Sequence, residues 1–167
     1  MIVAEFEKVS YEQFENDCLS LLDITDEKII KEAYQNIALP KRATKGSAGY
    51  DFVTPFNLTL ESSKEIKVPT GIRVKMLEGY VLHLYPRSSL GFKYHMALLN
   101  TVGIIDSDYY GAKNEGHIII AIGNYGEKTL TLNKGDRFAQ GIFLPYFFAK
   151  EEEIGLIREG GFGSTDK

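Results

Sequence analysis

The chain has 167 residues, 44% of them hydrophobic and 25% charged, with a net charge of −4. That balance belongs to an ordinary globular sequence, neither disordered nor membrane-spanning, and a chain of this size buries roughly two-thirds of its unfolded surface. The acidic balance excludes direct nucleic acid binding through a basic face, while a small anionic ligand needs only a local basic site.

No apolar run approaches the roughly 18 residues of a membrane helix. The start MIVAEFEK lacks a basic segment leading into an apolar one, so the expected compartment is the cytoplasm. Ile2 to Lys8 reads as a strand. Ser10 and Gln13 follow with the spacing of a capping box, the serine accepting from the backbone and the glutamine reaching back. In the helix this predicts, Tyr11, Phe14, Cys18, Leu21 and Leu22 share one face. Ile29, Ile30, Ala33, Tyr34 and Ile37 repeat the pattern after a break at Asp23 to Asp26. A helical hairpin over about residues 10–37 is expected, with its apolar stripe against the rest of the fold. Cys18 is the only cysteine. It reads as a small buried hydrophobe, and it rules out an intramolecular disulfide and a Cys-rich zinc site.

The body, about residues 38–155, consists of short β-rich runs separated by Gly, Pro, Asn and Asp. Ile72, Val74 and Met76 alternate with Arg73 and Lys75, as a strand with one buried face requires. Further strands are expected over Leu58 to Leu60, Tyr80 to Tyr85, His117 to Ile122, Thr129 to Leu132 and Arg137 to Leu144. Turns are expected at Leu77 to Gly79, Asn124 to Gly126 and Asn133 to Asp136. Many short strands with no helix between them predict a mainly β sandwich or barrel. His83, His95 and His117 lack zinc spacing and read as strand or loop residues.

Within this body, Gly103 to Gly111 reads GIIDSDYYG, two carboxylates and aromatic rings in a glycine-bracketed turn. A carboxylate on a tight hairpin beside approachable backbone suits general-base chemistry, but Asp, Tyr and Gly are also ordinary turn residues. Both readings stay open for the run alone. The tail GGFGST, Gly160 to Thr165, has no apolar periodicity. It reads as a flexible arm, about residues 156–167, whose amides and hydroxyls suit an anion and whose Phe162 suits a base or sugar.

Five segments taken together resemble the trimeric dUTP pyrophosphatases (dUTPases): AGYDF from Ala48, PRSSLG from Pro86, NTVGIIDSDYYG from Asn100, GDRFAQGIF from Gly135 and GGFGST from Gly160. The resemblance runs from about Leu39 to the C-terminus and implies a single domain with the dUTPase-like β-barrel or jelly roll (β-clip). It implies a homotrimer with sites shared between subunits. Asp106 matches the family's catalytic aspartate, which activates a water for attack on the α-phosphorus of dUTP. Tyr109 matches the tyrosine that packs on the deoxyribose and leaves no room for a 2′-hydroxyl. Asn100, Gly103 and Ile105 match the hairpin that reads the uracil edge. Arg87, Ser88, Ser89 and Gln140 match phosphate ligands, and Asp51 matches a supporting aspartate near the nucleophile or Arg87. From the arm, Phe162 would stack on the uracil while Arg158, Ser164 and Thr165 reach the terminal phosphates. Mg2+ would arrive with the triphosphate, held by phosphate oxygens and water without a protein cage.

Three features depart from the family pattern. The arm's arginine, Arg158, stands one position late, with Ile157 where the arginine is usual. Asp166 replaces a common glycine. The segment AKNEG, Ala112 to Gly116, is longer than usual and, with the helical opening, marks a divergent subgroup of phage or low-GC bacterial type. Two alternatives differ from dUTP hydrolysis. A related dCTP deaminase would need a carboxylate where Ala121 stands, with Glu115 the nearest upstream. A nucleotide-gated regulatory protein would use arm closure to engage a partner and would have no need for Asp106.

Overall fold

The chain alternates between residues that favour short extended runs and tight polar turns, and the computed structural model, which describes residues 1–150, follows that punctuation. The elements in order are β1 (Ala4–Lys8), α1 (Tyr11–Leu21), α2 (Glu27–Gln35), β2 (Lys41–Arg42), β3 (Tyr50–Val53), β4 (Leu58–Leu60), β5 (Glu65–Pro69), β6 (Ile72–Met76), β7 (Tyr80–Pro86), α3 (Ser88–Tyr94), β8 (Met96–Leu98), β9 (Gly103–Ile105), a 3₁₀ turn (Ser107–Gly111), β10 (Ile119–Asn124), β11 (Leu130–Leu132) and β12 (Arg137–Pro145). The arm with Arg158, Phe162, Ser164 and Thr165 lies outside the described residues.

Every pairing is antiparallel. The largest sheet has the order β2-β3-β12-β7-β9, and smaller ones pair β5-β10-β8, β1-β6 and β11-β4. Strands far apart in sequence are neighbours, and no sheet among the described residues closes into a barrel, so the arrangement is of the jelly-roll type. Phe52, Leu82, Phe138, Ile120, Ile122 and Leu130 are fully buried and fill the space between sheets. Each such side chain contributes about 1.5–3 kcal/mol relative to exposure.

The helical pair packs on this body as its apolar stripe predicts. Phe14 of α1 is fully buried. Its ring stacks on Phe56 at 6.0 Å with 4° between the planes, and lies 5.8 Å from Tyr34 of α2. Ile30 and Ala33 carry the buried face of α2, whereas Ile29 is 49% exposed and belongs to the outer face.

Three local expectations are corrected. Gln13 does not reach back to Ser10. Its amide donates to Asp17 instead, one turn along the same helix, at 2.8 Å. The body is not free of helix, because Ser88–Tyr94 forms α3. Its seven residues are too few to show a periodicity, and His95, in the left-handed region at φ 52°, ends it by donating to the Gly91 carbonyl. The strands on either side of Asn100 do not form a hairpin: β8 pairs with β10, and β9 pairs with β7. A short turn, in which the Thr101 amide donates to the Leu98 carbonyl, passes the chain from one sheet to the other.

Candidate active site

Antiparallel pairing of β3, β12 and β7 sets Asp51, Gln140 and Tyr85 side by side in the large sheet. Arg87 follows β7 directly, its amide donating to the Phe138 carbonyl of β12. The Asp51 carboxylate accepts from Arg137 at 3.1 Å and has the Arg87 guanidinium at 3.8 Å. A bulge in β12 between Arg137 and Ala139 falls where the first of these contacts is made. Asp51 therefore places its negative charge between two guanidinium cations and offsets their mutual repulsion. The Gln140 amide occupies space beside Gly49, where a Cβ would fall 2.6 Å from its Oε1. Ser88 and Ser89 stand exposed on the first turn of α3, next to Arg87. The sheet thus brings together Asp51, Arg87, Ser88, Ser89 and Gln140, a set rich in donors for phosphate oxygens.

Asn100 lies elsewhere. It lines a cavity of about 260 Å³ with Leu98, Gly103, Ala121 and Lys67. The largely apolar walls, with the Asn100 amide and Lys67 as polar groups, suit a flat heterocycle read along one edge. Gly103 is buried and Ile105 half-buried where β9 pairs with β7.

Asp106 leaves the end of β9 and lines a cavity of about 530 Å³ with Glu78, Ser107, Asp108 and Tyr146. Because Ile105 pairs with Leu82, Asp106 stands beside the start of β7 while Arg87 follows its end. At about 3.3 Å per residue, the six or so steps along β7 set the backbones of Asp106 and Arg87 about 20 Å apart. The single chain does not bring Asp106 together with the phosphate-ligand set.

Tyr109 sits in the 3₁₀ turn beyond Asp106 and is only 4% exposed. Its hydroxyl donates to the His117 carbonyl at 2.8 Å and accepts from Asn114 Nδ2 at 2.8 Å. Its neighbour Tyr110 donates to Glu7 of β1 at 2.9 Å, and the Arg73 guanidinium lies over its ring, 4.3 Å from the centroid. The hydrogen bond from Tyr110 and then that from Arg73 pull the Glu7 carboxyl below its usual range.

Sequence reasoning missed the groups that hold this turn. Glu115, in the Ala112 to Gly116 insertion, accepts from the Ser10 amide at 2.7 Å and from the Ser10 hydroxyl at 2.6 Å. It takes the capping role expected of Gln13, and the two bonds from Ser10 lower its pKa. His117 is fully buried. The Gly71 amide donates to its Nε2 at 2.7 Å, which leaves the ring proton on Nδ1, 2.5 Å from Asp17. Burial raises the Asp17 pKa, but the hydrogen bonds from His117 and Gln13 outweigh it and hold the carboxyl below its usual range. The only prior signal was the length of the insertion itself.

Among the described residues, no cluster of three or more His, Cys, Asp or Glu is placed to hold a metal ion, and no helix is long and apolar enough to cross a membrane.

A mainly antiparallel fold, with a donor-rich cluster at one end of β7 and a carboxylate-lined cavity at the other, is of the jelly-roll class. The chain belongs to the dUTPase family, the dUTP diphosphatases, whose sequence model matches residues 35–165. It is 38% identical over 142 residues to the deoxyuridine 5′-triphosphate nucleotidohydrolase of Lactococcus lactis, covering 83% of this chain and 95% of that one. The enzyme of that name from Desulfitobacterium hafniense is 38% identical over 135 residues, covering 76% and 86%. Among solved structures, the Streptococcus mutans dUTPase matches with a TM-score of 0.65 at 35% identity over 87% of this chain and 98% of its own. A mutant dUTPase of Staphylococcus aureus phage phi11, described for its structural Mg(II) ion, shares the fold at a TM-score of 0.65 and 21% identity, over 92% of this chain and 97% of its own.

Proposed function

We propose that the enzyme hydrolyses dUTP to dUMP and pyrophosphate in sites completed between the subunits of a homotrimer, with Asp106 as the general base. The observation that carries this reading is the separation of Asp106 from Arg87 and Gln140 along β7. A water activated at Asp106 cannot attack a phosphorus bound at Arg87 of the same chain. A neighbouring copy turned about a threefold axis supplies the missing half, and repetition of one heterologous contact closes the ring.

In such a site Asp106 takes a proton from the attacking water, while Arg87, Ser88, Ser89 and Gln140 stabilise the charge that passes to pyrophosphate. Asp51 keeps Arg87 in place. Asn100 and the backbone of Gly103 and Ile105 read the uracil edge, and Tyr109 meets the deoxyribose. Arg158, Phe162, Ser164 and Thr165 close over the nucleotide from the arm. An Mg2+ that arrives with the triphosphate would take its oxygens from phosphates and water and would neutralise phosphate charge. Ala121 lines the same cavity as Asn100, so the deaminase reading lacks a carboxylate there. A lone buried thiol, Cys18, suits a reducing cytoplasm.

The test uses two inactive variants. Asp106→Asn is expected to lose about 10²–10⁴-fold in kcat with nucleotide binding retained. Arg87→Ala is expected to fail for want of phosphate contacts. Co-refolding the two should restore activity at about one quarter of the sites, because some interfaces then pair an intact Asp106 with an intact Arg87 from another chain. No recovery in mixed oligomers would place both groups in one subunit and refute the shared site.

A further inference from the structure

The turn that carries Tyr109 is held by residues that belong to neither the phosphate set nor the base cavity. Asn114 donates its amide to the Tyr109 hydroxyl at 2.8 Å, and the same nitrogen lies 3.4 Å from the His117 carbonyl that the hydroxyl itself bonds. The opposite end of this amide, Oδ1, is buried with no hydrogen-bond partner among the described residues. A buried acceptor left unpaired is costly, so its retention points to the bond made by the other end. The segment is also packed tightly. Gly116 has φ +70°, and a Cβ there would fall 2.7 Å from the Tyr109 carbonyl oxygen and 2.8 Å from Tyr110 Cα. Next to Asn114, Glu115 ties the segment to the start of α1 through both the amide and the hydroxyl of Ser10.

We propose that Asn114, held in place by the Glu115–Ser10 contact, is a positioning residue for Tyr109 and so sets how strictly the enzyme rejects a ribose. The proposal rests on the reading of Tyr109 as the deoxyribose contact. With Tyr109 almost wholly buried, the shape offered to the sugar depends on the position of a side chain held at its hydroxyl by His117 and Asn114. Removing the Asn114 bond leaves the hydroxyl held by the His117 carbonyl alone, which loosens the ring and opens room for a 2′-hydroxyl. The insertion and the helical opening would then act together: α1 fixes Glu115, which fixes Asn114, which fixes the ring.

The measurement is kcat/KM for UTP relative to dUTP in the full-length enzyme. Asn114→Ala should raise this ratio about five- to tenfold, the scale of one hydrogen bond, and Glu115→Ala should raise it about three- to tenfold. Glu115→Gln, which keeps an acceptor for the Ser10 amide, should return to within about twofold of the parent ratio. General loosening of the fold would instead slow both nucleotides in parallel and leave the ratio unchanged. Tyr109→Leu separates the two claims. If Tyr109→Leu relaxes the ratio while Asn114→Ala and Glu115→Ala keep the parent value, positioning by Asn114 is wrong and the sugar contact stands. If Tyr109→Leu keeps the parent ratio, the sugar contact is wrong and the proposal falls with it.

Discussion

The buried His117–Asp17 contact ties α1 to the segment behind Tyr109, and its removal has a calculable effect. His117 is fully buried and directs Nδ1–H at Asp17 over 2.5 Å, while Nε2 is committed to the Gly71 amide. Asp17→Ala leaves a buried donor without an acceptor, and the ring cannot change tautomer without abandoning Gly71. An unmade buried bond costs about 1–3 kcal/mol, and charge-assisted bonds sit at the upper end, so a loss of about 2–3 kcal/mol is expected. Asp17→Asn keeps an oxygen for both His117 and Gln13 and loses only the charge, about 1 kcal/mol. For a chain of this size, each kcal/mol moves the melting temperature by about 2–4 °C. Thermal unfolding at fixed protein concentration near neutral pH should therefore show a drop of about 4–12 °C for Asp17→Ala and about 2–4 °C for Asp17→Asn. The sign of the pH dependence follows from the lowered Asp17 pKa. The ionised carboxyl stabilises the fold fully above its unfolded value, about 3.9, and that contribution is lost as pH falls through the lower folded value. The gap between the parent and Asp17→Asn should accordingly close in acid. An Asp17→Ala protein that melts within a degree or so of the parent would refute the account.

Other consequences concern backbone and thiol. Gly116→Ala must place a Cβ at φ +70° against the backbone of Tyr109 and Tyr110. The left-handed conformation alone costs about 1–2 kcal/mol, so chemical denaturation should show a loss beyond that figure; a smaller loss would mean that the turn relaxes freely. Cys18 is buried, and its thiol is pushed up to about 12, chiefly by burial and then by Asp17 and Glu15. A disulfide reagent at mildly alkaline pH should find no reactive thiol in the native protein and full reaction after denaturation, whereas rapid native labelling would show that α1 opens.

The parts of this fold that were legible in the sequence are those governed by short-range pattern. Alternation gave the strands around Ile72–Met76 and Arg137–Pro145, and the three-and-four spacing gave Phe14, Cys18, Ile30 and Ala33 as buried helix faces. Asp51, Arg87 and Gln140 stand out in the sequence only through their short motifs, and the pairing of β3, β12 and β7 sets them near one another. Glu115 and His117 were not legible, since their partners Ser10 and Asp17 lie 105 and 100 residues away, and one sequence carries no signal for such a pairing. Helix α3 was hidden for another reason. With no residue fully buried, it has no apolar stripe to reveal it.

What unites the missed contacts is their direction. Glu7 reaches Tyr110, Ser10 reaches Glu115 and Asp17 reaches His117, so β1 and α1 together grip the segment from the 3₁₀ turn to the start of β10. Glu7, Asp17 and Glu115 all have lowered pKa values, caused in each case by hydrogen bonds donated across or beside this contact. Carboxylates stabilised in that way favour the folded arrangement throughout the neutral range and lose their hold only as acid protonates them. Apolar packing alone, as between Phe14 and Phe56, would bury the helical pair but tolerate sliding and rotation. Directed bonds to short polar side chains fix register, and with it the position of the buried Tyr109. The opening of the chain, although it lies outside the five motifs, therefore forms part of the frame that sets the position of Tyr109.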